Sequence, residues 1–244
     1  MKRLWDISPP VQPGSPVFPG DAAFELRWGA TLSAYCPVNV STLEKQTPGR
    51  PTCFSSPSGR RTPQGGGLGG ALRLSPHTGA HADAPLHYSA DDATVGPRDL
   101  APFLGRCRVV HAIDCGPLIE GRHLAHAPGD ALAAAPDTLP PRLLVRTHAR
   151  AATGWDPQLA GYAPDTFERL AKAGVRLVGI DTASIDPADS KALPSHRVIR
   201  RRGLPVLENL LLDDVPDGDY ELIALPLKLM TADASPVRAM LREL

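Results

Sequence analysis

Between Ser75 and Tyr88 the chain reads Ser-Pro-His-Thr-Gly-Ala-His-Ala-Asp-Ala-Pro-Leu-His-Tyr, so His77, His81, Asp83 and His87 fall within eleven residues. Three of the eight histidines are gathered there. Imidazole and carboxylate are ligand types that hold zinc or manganese, and two histidines four residues apart can bring both rings to one point. One helical turn does this, and so does a strand end running into a loop. Gly79 and Pro85 favour the strand, because glycine permits a close backbone approach or an unusual φ and proline stops a helix before His87. The expectation is a strand leading into an ordered turn, with a metal rather than solvent facing its donors.

A second carboxylate stands out by its surroundings. Glu208 lies in Leu204-Pro205-Val206-Leu207-Glu208-Asn209-Leu210-Leu211-Leu212. Burying a lone carboxylate in so apolar a run is costly, so a metal or an arginine is expected beside it, and Arg197 and Arg200 are the available ion-pair partners. His196 precedes Glu208 by twelve residues.

The motif at 77–87, taken with Trp5-Asp6-Ile7-Ser8, Pro19-Gly20-Asp21, Pro37-Val38-Asn39-Val40, Gly179-Ile180-Asp181-Thr182 and the run from Gly218-Asp219-Tyr220-Glu221-Leu222 to Leu225-Pro226-Leu227-Lys228, resembles the cyclase-like metal-dependent hydrolases. Their His-x-Gly-Thr-His-x-Asp-x-Pro-x-His signature is matched with Ala80 in the Thr position. The likeness is greatest to the family's bacterial formamidase branch. It implies that His77, His81 and Asp83 bind metal, that His196 and Glu208 complete a two-metal site, and that His87 is the acid/base. It implies an α/β fold, a swivelling β/β/α domain with a mixed sheet, and a homodimer. The implied activity is hydrolysis of N-formyl-L-kynurenine to L-kynurenine and formate in tryptophan degradation, with two divalent ions per subunit, zinc in most of that branch and manganese in isatin-hydrolysing relatives. An isatin hydrolase-like enzyme acting on another aryl or cyclic amide, and a metal-binding homologue with impaired catalysis, are the alternatives.

A formamide needs a strong nucleophile at neutral pH, a polarised carbonyl and a proton for the departing aniline nitrogen. Two cations bridged by Asp83 and Glu208 would provide the first two, and His87 the third. Two features depart from the family pattern. The aromatic before Pro19-Gly20-Asp21, commonly a tryptophan that contacts substrate, is here Phe18, which keeps a stacking face and lacks the indole donor. The other is a Pro/Gly-rich insertion at 44–70, expected to be disordered, since it has four Pro, seven Gly and no β-branched aliphatic residue. It is expected to interrupt one strand made of Val38 to Leu43 and Leu72 to Ser75.

These residues need a frame. Strand-like runs occur at Leu4 to Ile7, Phe24 to Trp28, Val38 to Leu43, Arg106 to Ile113, Arg142 to Thr147, Arg176 to Asp181, Pro205 to Leu212 and Tyr220 to Leu229, which sum to a mixed sheet. A helix is expected over Ala163 to Ala173, with Pro164 and Asp165 at its start, Phe167, Leu170 and Ala171 on one face, and Gly174 at its stop. Asp186 to Arg202 is expected to be partly helical, interrupted near Pro194 and ended by Gly203, and Asp233 to Leu244 to form a third helix.

With 244 residues, one domain spanning 1–244 is expected. Lys plus Arg and Asp plus Glu both total 26, a balance that offers nothing to a phosphate backbone or an anionic membrane, so the expected partner is a small molecule and not nucleic acid or lipid. No apolar run reaches the roughly 18 to 20 residues of a membrane span, and the Met1-Lys2-Arg3-Leu4-Trp5-Asp6 start lacks a secretory apolar stretch, so a cytoplasmic location is expected. Cys36, Cys53, Cys107 and Cys115 form no Cys-x-x-Cys pair and are expected to be reduced thiols. Gly65 to Gly70 satisfies Gly-x-Gly-x-x-Gly without the strand before or the helix after that a dinucleotide site needs. His123 and His126 are expected to be exposed, and the Arg197 to Arg202 cluster to favour a helix C-terminus.

Overall fold

The computed structural model describes residues 2–30, 69–124 and 139–244. Its main sheet has nine strands: β1 (Leu4–Asp6), β4 (His81–Asp83), β5 (Leu104–His111), β7 (Arg142–Arg146), β9 (Leu177–Ile180), β10 (Val206–Glu208), β11 (Gly218–Ile223), β12 (Ala234–Pro236) and β13 (Met240–Glu243). Two further pairs are β2 (Glu25–Ala30) with β3 (Gly69–Arg73), and β6 (Leu118–Ile119) with β8 (Gly161–Tyr162). In the main sheet the order is β1-β13-β11-β5-β7-β9-β10-β4-β12. The four central strands β5, β7, β9 and β10 run parallel, and antiparallel strands flank them on both sides. This is the expected mixed α/β sheet.

Connectivity forces that sheet to curl. Between β13 and β12 lie seven strand spacings, about 34 Å if the sheet were flat, yet the chain joins them through residues 237–239, a reach of about 14 Å at most. The closing contacts are Val237 N–H to Ala80 O at 2.8 Å and Ile7 N–H to Ala239 O at 3.0 Å. Inside the curl pack Ile7, Ala82, Cys107, Val109, Leu144, Leu177, Leu207, Leu222 and Leu241. The outer face, with Val110, Leu143, Val145, Val178 and Val206, is covered by helices α1 (Pro164–Lys172) and α2 (Pro194–Arg202), through Phe167, Leu170, Val198 and Ile199. Neighbouring residues of β7 and β9 thus serve opposite cores, which is why these strands read as continuous apolar runs.

Helix α1 matches its sequence signals, with Pro164 at its first position and its end at Ala173 before Gly174. Burying Phe167 and Leu170 completely contributes about 1.5–3 kcal/mol each. In α2, Pro194 starts the helix instead of interrupting it, as proline's missing N–H is harmless at a first turn, and Gly203 ends it at φ +64°. The arginines at its end do more than face the helix terminus: Arg201 and Arg202 pair with Glu168 of α1, and Arg200 pairs with Asp92 at 2.8 Å.

The expected C-terminal helix is absent. Asp233 to Leu244 instead carries β12 and β13, because Ala239 and Leu241 are buried while Arg242 is exposed, a period of two, and Pro236 suits an edge strand. Strand β10 is shorter than the apolar run Pro205 to Leu212, since Asn209 turns left-handed at φ +55°. Strand β11 likewise stops at Ile223. Strand β3 pairs antiparallel with β2, Glu25 opposite Arg73 and Leu26 opposite Leu72, so its partner comes from upstream. Val38 to Leu43, nearly all of the 44–70 tract, Cys36, Cys53 and His126 lie outside the described residues. Cys107 is a buried free thiol held up to about 12 by burial, and Cys115 is a half-buried free thiol. His123 is half-buried, and its Nδ1 accepts the Glu120 N–H at 3.0 Å.

Candidate active site

Strand β4 places the motif. His81 and Asp83, two residues apart, point to the same face, while Ala82 enters the inner core. On one side β10 pairs with β4 so that Glu208 stands opposite His81. On the other, β12 pairs Ala234 with Asp83, and the carbonyl of Asp233 accepts the Ala84 N–H at 2.8 Å. The chain then makes a 3₁₀ turn, Pro85–His87, which swings the third histidine back over the strand end. The expectation of a strand leading into an ordered turn is met. Before the strand, Gly79 adopts φ +66°, and a Cβ there would lie 2.7 Å from Val11 Cγ2.

His77 is steered from further upstream. Ser75 Oγ accepts its N–H at 3.2 Å and donates to Asp21 at 2.7 Å, so the Pro19-Gly20-Asp21 motif orients the first histidine. His196 arrives from α2, whose N-terminus sits on the buried Asp186 carboxylate. That carboxylate accepts the Ser195 and His196 N–H groups at 2.9 and 3.1 Å and faces His196 Nδ1 at 2.7 Å. An anion at a helix N-terminus is favoured by the helix dipole, and here it also fixes the ring so that Nε2 faces the site.

The resulting geometry centres on Asp83. Its Oδ1 lies 3.1 Å from His77 Nδ1 and 3.5 Å from His81 Nε2, and its Oδ2 lies 3.5 Å from His196 Nε2. Glu208 reaches His81 Nε2 at 3.2 Å and His196 Nε2 at 3.7 Å. Its other contact is the Ile185 N–H at 2.8 Å. Neither arginine considered from the sequence pairs with it: Arg200 is engaged by Asp92, and Arg197 is exposed. Asp83 belongs both to a potential ligand group with His77 and His87 and to one with His81 and Glu208.

The fit to a metal can be judged from unsatisfied atoms. His81 Nε2, both Asp83 oxygens and His196 Nε2 are buried without any partner in hydrogen-bond geometry. Leaving four buried polar atoms unmatched is costly, and all four are donor atoms a divalent cation accepts. Electrostatics agree. Burial alone would lower the pKa of His77, yet Asp83 and then Asp233 hold it at about 9. Burial likewise opposes charge on His196, and Asp186 and Asp83 raise it to about 10. Asp83 is held well below the usual carboxylate range by His196 and His77 despite complete burial. The carboxylates that hold protons on His77 and His196 make this a site of negative potential.

Above the cluster opens a cavity of about 460 Å³ lined by His77, His87, His196 and Glu208 and walled by Phe18, Pro187 and Leu193. Phe18 is partly exposed and meets Trp155 edge-on, ring centroids 4.7 Å apart. Two residues at the site were not singled out from the sequence. Asp186 is one. Asp233 is the other, its Oδ2 lying 3.2 Å from both His77 Nε2 and His87 Nδ1.

A family model named Cyclase, described as "Putative cyclase", matches residues 5–187. The chain belongs to this cyclase family. A kynurenine formamidase of Delftia acidovorans (strain DSM 14801 / SPH-1) is 58% identical over 243 residues, covering 100% of this chain and 99% of the relative. Among solved structures, a potential metal-dependent hydrolase with cyclase activity superposes with TM-score 0.72 at 23% identity, covering 100% of this chain and 99% of the other. An isatin hydrolase bound to the product analogue thioisatinate superposes with TM-score 0.68 at 17% identity, covering 99% and 92%. These superpositions establish the shared fold.

Proposed function

We propose that this single-domain chain is a metal-dependent arylformamidase that hydrolyses N-formyl-L-kynurenine to L-kynurenine and formate. The observation that carries the hydrolytic reading is Asp83, whose two oxygens are buried without a hydrogen-bond partner and face separate histidines, next to a cavity that His77, His196 and Glu208 line. The full-length identity to a kynurenine formamidase carries the substrate. In this reading His77, His81, Asp83, His196 and Glu208 would hold two divalent ions. The ions are zinc, with manganese the other metal that this donor set admits. When bound, such ions lower the pKa of water and polarise a carbonyl oxygen.

The chain's own groups do the rest. His87 is partly exposed at the cavity, with Nδ1 turned to Asp233. Its Nε2 is then the atom that takes a proton from the attacking water and returns it to the aniline nitrogen as the C–N bond breaks, giving the amine and formate. Asp233 holds the tautomer. Phe18 supplies an apolar face beside the cavity for the aryl ring. The finer parts of the proposal are a homodimer acting in the cytoplasm on a small molecule; among the described residues no helix is long and apolar enough to cross a membrane.

Steady-state turnover of N-formyl-L-kynurenine and of isatin by the purified, metal-supplemented protein tests this. A kcat/KM for the formamide at least about a hundredfold above that for isatin is expected, a gap of roughly 2.7 kcal/mol in transition-state binding. A reversed preference would make it an isatin hydrolase-like enzyme, and metal binding without either turnover would make it a metal-binding homologue.

A further inference from the structure

The loop between β9 and α2 does more than deliver His196. It is clamped at both ends, by Asp186 on the N-terminus of α2 and by Leu193 in a left-handed conformation at the helix start, and Ser190 N–H closes a turn on Pro187 O at 2.9 Å. Pro187, Ala188, Ser190, Lys191 and Leu193 all line the cavity above the His and carboxylate cluster. Among the described residues Lys191 is the only Lys or Arg that lines the cavity, and no carboxylate pairs with it. None of the four arginines of the following helix lines the cavity: Arg200, Arg201 and Arg202 are held in ion pairs, and Arg197 is exposed elsewhere.

Among the described residues the cavity therefore offers a cluster suited to cations, apolar walls from Phe18, Ala183, Pro187 and Leu193, and one ammonium group with no paired carboxylate. Its volume, about 460 Å³, lies in the range of small-molecule sites, roughly 300–1,000 Å³. Among the described residues the other charged side chain lining it outside the cluster is Asp21, which is engaged by Ser75. A ligand matching these groups has a hydrolysable group, an aromatic part and an anion.

We infer that Lys191 binds the α-carboxylate of an amino-acid substrate, and so sets the preference for an aryl formamide bearing an amino-acid side chain over one that lacks it. The inference rests on the formamidase reading and adds to it a residue that acts on selection rather than on bond cleavage. A charge-assisted contact of this kind strengthens ground state and transition state together, so its loss is read in KM.

The experiment compares wild type, Lys191→Met, Lys191→Glu and Lys191→Arg on N-formyl-L-kynurenine and on 2-formamidoacetophenone, which keeps the formamide, ring and ketone but has no amino acid. Lys191→Met is expected to lower the ratio of kcat/KM for the amino-acid substrate to that for the ketone by about 10- to 100-fold, mostly through KM. Lys191→Glu should lower it further and Lys191→Arg should restore most of it. A ratio that stays within about threefold of wild type in Lys191→Met and Lys191→Glu overturns the inference, whatever happens to the absolute rates. Wild type that cleaves the ketone formamide but not the amino-acid substrate also overturns it while leaving formamide hydrolysis intact. Wild type that cleaves neither overturns the formamidase reading itself.

Discussion

Asp233 faces His87 across 3.2 Å, Oδ2 to Nδ1, and the same oxygen meets His77 Nε2 at 3.2 Å. One carboxylate thereby couples a ring that reaches the Asp83 centre to a ring that opens on the cavity. Replacing Asp233 by Asn keeps the shape and removes the charge that holds His87 in one tautomer. Turnover is expected to fall about 10- to 100-fold, mostly in kcat, with metal content retained. A kcat within about twofold of wild type would make Asp233 a structural residue only.

His87 itself is predicted to be dispensable for metal and needed for chemistry. His87→Ala should keep its full metal content and lose on the order of 10² to 10⁴ in kcat. Because His87 also stands within ligand reach of His77 and Asp83, elemental analysis of the variant is informative: loss of an ion would make it a ligand.

Asp186 does not line the cavity, yet it fixes His196 by two contacts and the preceding Ser195 N–H by a third. Asp186→Asn should weaken divalent binding by about 10- to 100-fold, measured by competition with a chelator, because His196 loses the partner that orients it. Unchanged affinity would show that α2 alone holds the ring.

Much of this site was legible in advance because its ligands are local. His77, His81, Asp83 and His87 are spaced within one strand and one turn, so pattern alone brings them together. Glu208 was conspicuous for its apolar neighbours. Asp186 and Asp233 were not, since an aspartate before a proline or near a chain end resembles any surface loop residue until the fold sets it beside a histidine 10 or 146 positions away. The C-terminal segment was misread as helix for a related reason: its period-two burial follows from pairing with β1, β4 and β11, which local propensity does not record.

A pH effect is expected away from the metal cluster. His148 is raised from an ordinary 6.5 to about 9, first by hydrogen bonding to Asp181, with burial opposing and Asp156 adding to the rise. A group raised on folding stabilises the protein fully below its unfolded value, and that contribution disappears as pH climbs through the folded value. The stability difference between wild type and His148→Gln should therefore be greatest at pH 6 and shrink towards about pH 9.5, as read from urea midpoints. A difference that grows with pH would contradict the assigned partnership.

The central claim is that the site around Asp83 and Glu208 would hold two catalytic cations. Chelator-stripped protein titrated with zinc, with kynurenine and formate followed at each addition, measures this most directly. Activity should be negligible without metal, rise on addition and level off at two equivalents per chain, with the two products released one to one. Full turnover by the stripped protein, or a plateau at one equivalent that Glu208→Gln leaves unchanged, would contradict it.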